Sequence, residues 1–134
     1  MPAPDTPLAG EELLAAVTDA MVALHKRYHH REPVTAKSML MSNELLACVM
    51  GGVYTEVEKT LIELEHNVAV KDTRNAFQNA MRDKFIVEVE RLSGRRVQTF
   101  ISDSHVGPDL QIELFILGPD PRPAGTADGA PSLS

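Results

Sequence analysis

One change of hydrophobic period constrains this chain more than any other feature. From Asp72 to Ser93, the apolar residues Phe77, Met81, Phe85, Val89 and Leu92 recur at intervals of four, four, four and three. That spacing puts them on one side of a 3.6-residue helix. Asp72 and Thr73 suit its start, because their side-chain oxygens accept from the first free backbone N–H groups. Ser93-Gly94 ends it, since glycine takes the left-handed C′ conformation without steric cost. Beyond Gly94 the period drops to two. Val97, Thr99 and Ile101 alternate with Gln98, Phe100 and Ser102. Leu110, Ile112, Leu114 and Ile116 then alternate with Gln111, Glu113, Phe115 and Leu117. The polar run Ser102–Asp109, with Gly107-Pro108 inside it, reads as the loop between two strands. Strands joined so shortly run antiparallel, so a closing hairpin must fold back on a long amphipathic helix.

The first half supplies the rest of the architecture. A helix is predicted from about Glu11 to His30, with Leu13, Leu14, Val17, Met21, Leu24 and Tyr28 as its stripe and Pro33 as its stop. Residues 34–41 and 44–53 read as a hairpin about Ser42-Asn43. Thr55 and Glu58 form a capping box that opens a helix with Val57, Leu61 and Leu64 inward. His66-Asn67 breaks or bends that helix, and 68–71 fits either helix or linker. The order α-β-β-α-α-β-β predicts an α+β, two-layer domain over 11–118: a four-stranded antiparallel sheet packed against helices. Residues 1–10 are expected to be a disordered lead-in, and Pro119 to Ser134, rich in Pro, Gly, Ala and Ser, a disordered tail. The last strand is apolar on both faces. A homodimer, with sheets or helices paired across a two-fold axis, is the expectation; a helix over each face is the alternative.

Totals narrow the function classes. The chain has 134 residues and a formal charge of −6, which argues against a nucleic-acid binder. Cys48 is the only cysteine, so no intramolecular disulfide can form, and its apolar strand predicts burial rather than reactivity. No apolar run reaches the roughly 18–20 residues that cross a bilayer, so no direct membrane insertion is expected. The acidic, proline-rich N-terminus does not read as a signal peptide, and a cytoplasmic home is the expectation.

Three segments carry a family resemblance: YTEVEKTLIE (54–63), V-x-x-TR-x-x-F (70–77) and LSGRRVQTFISDSHVGPDLQIELFIL (92–117). Together they resemble the MpsC family of small cytoplasmic domains, named for a component of a bacterial membrane-potential-generating system. The resemblance spans about 11–118, and Gly94-Arg95-Arg96-Val97 with Ser102-Asp103-x-His105 is its most specific part. It departs at His30-Arg31-Glu32-Pro33, where the family has a glycine-rich G-x-G-P, so a flexible glycine loop is not expected there. The resemblance implies an accessory or regulatory partner of a membrane system that moves ions or takes up inorganic carbon, working through protein contacts. A multi-spanning transport protein would be its partner, reached from the inner face of the membrane. It carries over no catalytic residue.

Candidate residues are few. Arg74 lies in the first turn of the long helix, where a cation opposes the helix dipole. A salt bridge to Glu58 or Glu65 explains it, and an anionic ligand is the alternative. Asp103 and His105 share the closing segment and could serve as an acid–base pair or contact a ligand; an Asx-turn explains Asp103 as well. Arg91, Arg95 and Arg96 could meet an anionic partner or simply solvate a helix end. The ligand- or partner-binding candidates are therefore Arg74, Arg96, Asp103 and His105. His25 and His29, spaced i, i+4, lack the third and fourth ligands that zinc takes, so a solvated helix end is expected there. No P-loop, G-x-S-x-G, H-E-x-x-H or C-x-x-C is present, and no metal, cofactor or catalytic residue is expected. The readings in play are an accessory protein, a small-ligand sensor with Arg74 and His105 in one pocket, and an enzyme using Asp103 and His105.

Overall fold

The computed structural model of the chain describes residues 7–120. Within them the elements are α1 (Gly10–Leu24), β1 (Thr35–Leu40), β2 (Leu45–Gly51), α2 (Glu56–Glu63), α3 (Asn67–Ser93), β3 (Val97–His105) and β4 (Leu110–Leu117). The α+β order is the one expected. All four strands form one antiparallel sheet in the order β1-β2-β4-β3. The chain thus comprises two helix–hairpin units, α1-β1-β2 and α3-β3-β4, with α2 between them. They join along β2 and β4, with Leu45 opposite Ile116 and Gly51 opposite Leu110. Helix α1 lies over β1, α3 over β3, and the two helices touch.

The core lies between this helix pair and one face of the sheet. Val17 and Met21 of α1, and Phe85 and Val89 of α3, pack against Leu46, Cys48 and Met50 of β2 and Phe115 and Leu117 of β4. Phe85 has no exposed surface, and removing a ring so placed costs about 3–5 kcal/mol. Gly94 caps α3 in the left-handed region, φ 67°, as its position predicts.

Four local expectations are corrected. The long helix starts at Asn67, not Asp72, with no side-chain cap at His66, and 68–71 is helix. Glu65, in the left-handed region at φ 64°, turns the chain from α2 straight into α3, leaving no linker. Helix α2 is turned from its apolar pattern: of the three residues expected inward only Leu61 is half-buried, Val57 and Leu64 are exposed, and Glu58 is buried, because the capping carboxylate also serves Arg74. The first helix becomes a π-helical turn at His25–His29. A π-turn inserts an extra residue and rotates the side chains beyond it, so Tyr28 is exposed, whereas His25, four residues after Met21, continues the Leu13-Val17-Met21 stripe and is fully buried. The solvated helix end expected there is not found. Strand β3 runs on to His105, because Asp103 pairs with Ile112 and the Ser104 hydroxyl donates to Gln111 Oε1 at 2.6 Å. Asp103 and His105 therefore stand on a strand, and the loop is 106–109. The lead-in and tail fall largely outside the described residues; of the lead-in, Leu8 donates its N–H to Leu92 O at 2.9 Å.

Candidate functional site

Two features remain once the apolar core is accounted for, one inside the fold and one on its surface. The inner one starts on α3. Its buried residues run Val70, Arg74, Gln78, Met81, Phe85, Val89, Leu92 and Ser93, so two of the three nearest its start are polar. Arg74 is 1% exposed. Its guanidinium meets the Glu58 carboxylate at 3.2 and 3.3 Å and lies over the Tyr54 ring, 4.6 Å from the centroid. Glu58 Oε1 also accepts from the Thr55 N–H at 2.9 Å and lies 3.4 Å from His29 Nε2. Burial alone would raise the Glu58 pKa, but His29, the Thr55 amide and the Arg74 charge outweigh it and hold the carboxyl below its usual range. Tyr54 ties this cluster to the hairpin: its N–H donates to Asp109 Oδ2 at 2.9 Å and its hydroxyl to His105 O. Burial, with the Asp109 charge beside it, pushes the phenol up to about 12.

The sheet contributes the second tier. Gln111 Nε2 donates to Ser102 Oγ, Asp103 O and Glu113 Oε1 at 3.0, 3.0 and 2.9 Å. Glu113 has no exposed surface. Burial pushes its pKa to about 8, and the opposing pull of Ser102, Gln111 and Arg74 offsets only part of that, so it is protonated at neutral pH. Gln78 is 5% exposed and neither polar atom of its side chain has a hydrogen-bond partner among the described residues. It lines a groove of about 240 Å³ between α3 and β3, with Asn75, Asn79, Arg82, Phe100 and Ser102. Arg82 donates to Phe100 O at 3.3 Å and lies over the Phe100 ring. Farther along, His25 stacks on Phe85 at 5.8 Å and meets Phe77 edge-on. Burial lowers its pKa to about 4, which leaves it neutral.

The outer feature is the sheet face turned away from the helices. Strand alternation and register place Leu45, Ala47 and Val49 of β2 on it, beside Ile112, Leu114 and Ile116 of β4. Ile101 of β3, 48% exposed, joins them. Both α1 and α3 pack on the opposite face, and among the described residues no helix covers this one.

The candidates separate between these features. Arg74 is buried and paired with Glu58, one of the two partners expected for it. Arg96 is exposed, and its carbonyl accepts from Gly118 N–H. Asp103 Oδ1 accepts from the Ser104 N–H at 2.9 Å and lies 3.6 Å from Lys71 Nζ. The His105 ring reaches Pro108 O at 3.1 Å. Among the described residues no hydrogen bond or ion pair joins Asp103 to His105. Tyr54 links Arg74 to the His105 carbonyl, but the two side chains share no described pocket. Sequence reasoning missed Tyr54, Gln78, Gln111 and Glu113. The available signal was parity: Gln111 and Glu113 alternate in step with Phe115 and Leu117. It also missed the burial of Arg95, which donates to Gly118 O and Asn43 O at 2.8 and 2.9 Å and ties the end of the last strand to the first hairpin's turn.

The family model described as Na+-translocating membrane potential-generating system (MpsC) matches residues 10–118. The chain belongs to the MpsC family. No curated protein and no solved structure matched it. The MpsC match takes in every helix and strand, so the buried polar cluster and the open sheet face both belong to the family's domain. No helix of the described residues is long and apolar enough to cross a membrane. Among those residues no group of three or more His, Cys, Asp or Glu could hold a metal ion.

Proposed function

We propose that this MpsC protein is a non-enzymatic accessory or regulatory component of a membrane transport or energising system, working from the cytoplasmic side through protein–protein contacts. The family description supports the system, one that translocates Na+ and generates membrane potential. The observation that carries the mode of action is the open face of the sheet, whose central residues are apolar where solvent would favour polar ones. A crosslinking pull-down from the native host, on membrane and soluble fractions separately, tests the role. Recovery of a multi-spanning transport protein is the expected result. A membrane fraction free of the protein overturns it.

The groove beside Gln78 favours a second reading, sensing of a small oxyanion. Arg82 has no carboxylate partner among the described residues, and Asn75, Gln78, Asn79 and Ser102 bring further donors. Acetate and phosphate, tested by thermal shift against chloride of equal ionic strength, should raise the melting temperature in the wild type and not in Arg82→Gln. Equal responses in the two proteins would remove this reading.

A further inference from the structure

The open face is charged at its two rims in a way that matches itself. Register across the sheet aligns Lys37 with Val49, Val49 with Ile112 and Ile112 with Asp103. These four form one row, positive at the β1 edge and negative at the β3 edge. The next row is Met39, Ala47, Leu114 and Ile101, apolar throughout. The row after that places Leu45 and Ile116 beside Thr99. Lys37 is exposed, and the Asp103 side chain is 79% exposed even with Lys71 at 3.6 Å. The face is therefore an apolar band with one cation and one anion at the same height on opposite sides.

We infer that a second copy of this chain covers the face, the two sheets stacking about a two-fold axis that runs along the strands. This rests on the reading that the chain works through protein contacts, and it assigns this face to a second copy, so that a membrane partner would meet the dimer on another surface. Such an axis carries each β1 over the partner's β3 and keeps every residue at its own height. Lys37 of one protomer then stands opposite Asp103 of the other, twice per dimer, while the two apolar bands interdigitate. A two-fold running across the strands would instead set each edge strand over its own copy, leaving Lys37 without a carboxylate and Asp103 with only Lys71 of its own chain. Strands about 4.8 Å apart and about seven residues long give a face of roughly 19 by 23 Å. Pleated side chains enlarge it, so stacking two removes on the order of 1,000 Å² from water, the lower bound for a specific interface. The dimer is one that forms and separates over an accessible concentration range.

Sedimentation equilibrium on the full 134-residue chain, from micromolar to millimolar, tests the inference. The wild type should dimerise. Lys37→Asp and Asp103→Lys each put like charges together twice, and each should weaken the dimer by about tenfold. The double variant Lys37→Asp/Asp103→Lys exchanges the two rims and should return to within about threefold of wild type. Circular dichroism confirms that each variant is folded; both positions are exposed. A wild type that stays monomeric overturns the inference, as does a dimer indifferent to the single swaps or not rescued by the double. A monomer that still captures a membrane protein would remove the dimer and leave the accessory role standing. A rescued dimer with no membrane partner would do the reverse.

Discussion

Glu113 and His25 should write opposite slopes into the pH dependence of stability. The unfolded chain ionises Glu113 near 4.5, whereas the fold holds its proton to about 8. Between those values the unfolded state binds fewer protons, so Glu113 favours the fold fully below pH 4.5 and loses that contribution as pH rises to 8. His25 works the other way. Its folded pKa falls from 6.5 to about 4, so its contribution is complete above 6.5 and is lost on acidification to 4. Each slope is about 1.4 kcal/mol per pH unit. From 4.5 to 6.5 the two cancel and wild-type stability is nearly flat. From 6.5 to 8 Glu113 dominates, and with the last part of the His25 titration opposing it stability should fall by about 1.3 kcal/mol. Glu113→Gln keeps the shape of the side chain and cannot ionise. Its own curve should rise by about 2 kcal/mol from pH 4.5 to 6.5, on the His25 slope alone, and then level off. Urea unfolding at pH 4.5, 6.5 and 8, with m-values held common, measures both curves. The comparison rests on slopes, so any packing change in the variant drops out. Parallel curves between 6.5 and 8 would refute the protonated, buried Glu113.

Other consequences are simpler to read. Arg74→Ala leaves the Glu58 carboxylate buried without its cation and should cost about 3–5 kcal/mol by urea unfolding. Thr55→Ala removes the capping hydroxyl of α2 and should cost about 1 kcal/mol in the same assay. Gly94→Ala forces a side chain into the left-handed region, with its Cβ 2.5 Å from Pro7 Cγ, and should cost about 1 kcal/mol or more. Cys48 has no exposed surface, and burial pushes its thiol up to about 11. It should resist iodoacetamide at pH 8 in the folded protein and react once urea is added.

Much of the fold was legible because periodicity reports burial directly. The Phe77–Leu92 stripe, the Gly94 stop, the capping box at Thr55 and the alternating last strand all stand where their spacing placed them. Several of the failures share one cause: polar side chains satisfied by partners far along the chain. Glu58 turns its side of α2 inward because Arg74, on the next helix, binds it; the pairing was one of two expected for Arg74, but its burial was not announced by any local pattern. Val57 and Leu64 then lose the inward side to a carboxylate. The π-turn that turns Tyr28 outward has no counterpart in the apolar pattern, whereas the burial of His25 beside Phe85 follows the Leu13-Val17-Met21 spacing and was legible. Reading Asp103 and His105 as a loop failed because Gln111, on the opposite strand, supplies the bonds that prolong β3. The candidate Arg74 was found by its misfit with the helix dipole. Gln78 and Glu113 were not, although position marked both: Gln78 falls on the helical stripe before Met81 and Glu113 in step with Phe115, and only their polar character argued for solvent.

The seam between the two helix–hairpin units governs how the molecule comes together. Each hairpin joins near neighbours in the chain and can form early. The β2–β4 ladder joins Leu45 to Ile116 and must close over both α2 and α3. Closing so long a loop loses entropy that local contacts do not repay, so the seam is expected to close after the two hairpins. Until it closes, each half shows a bare strand edge whose complement lies elsewhere on the same chain. At high concentration a neighbouring chain carries the same complement, and exchange of whole halves between molecules competes with correct closure. Low protein concentration, rather than stronger helices, is what would favour recovery of the native fold from denaturant.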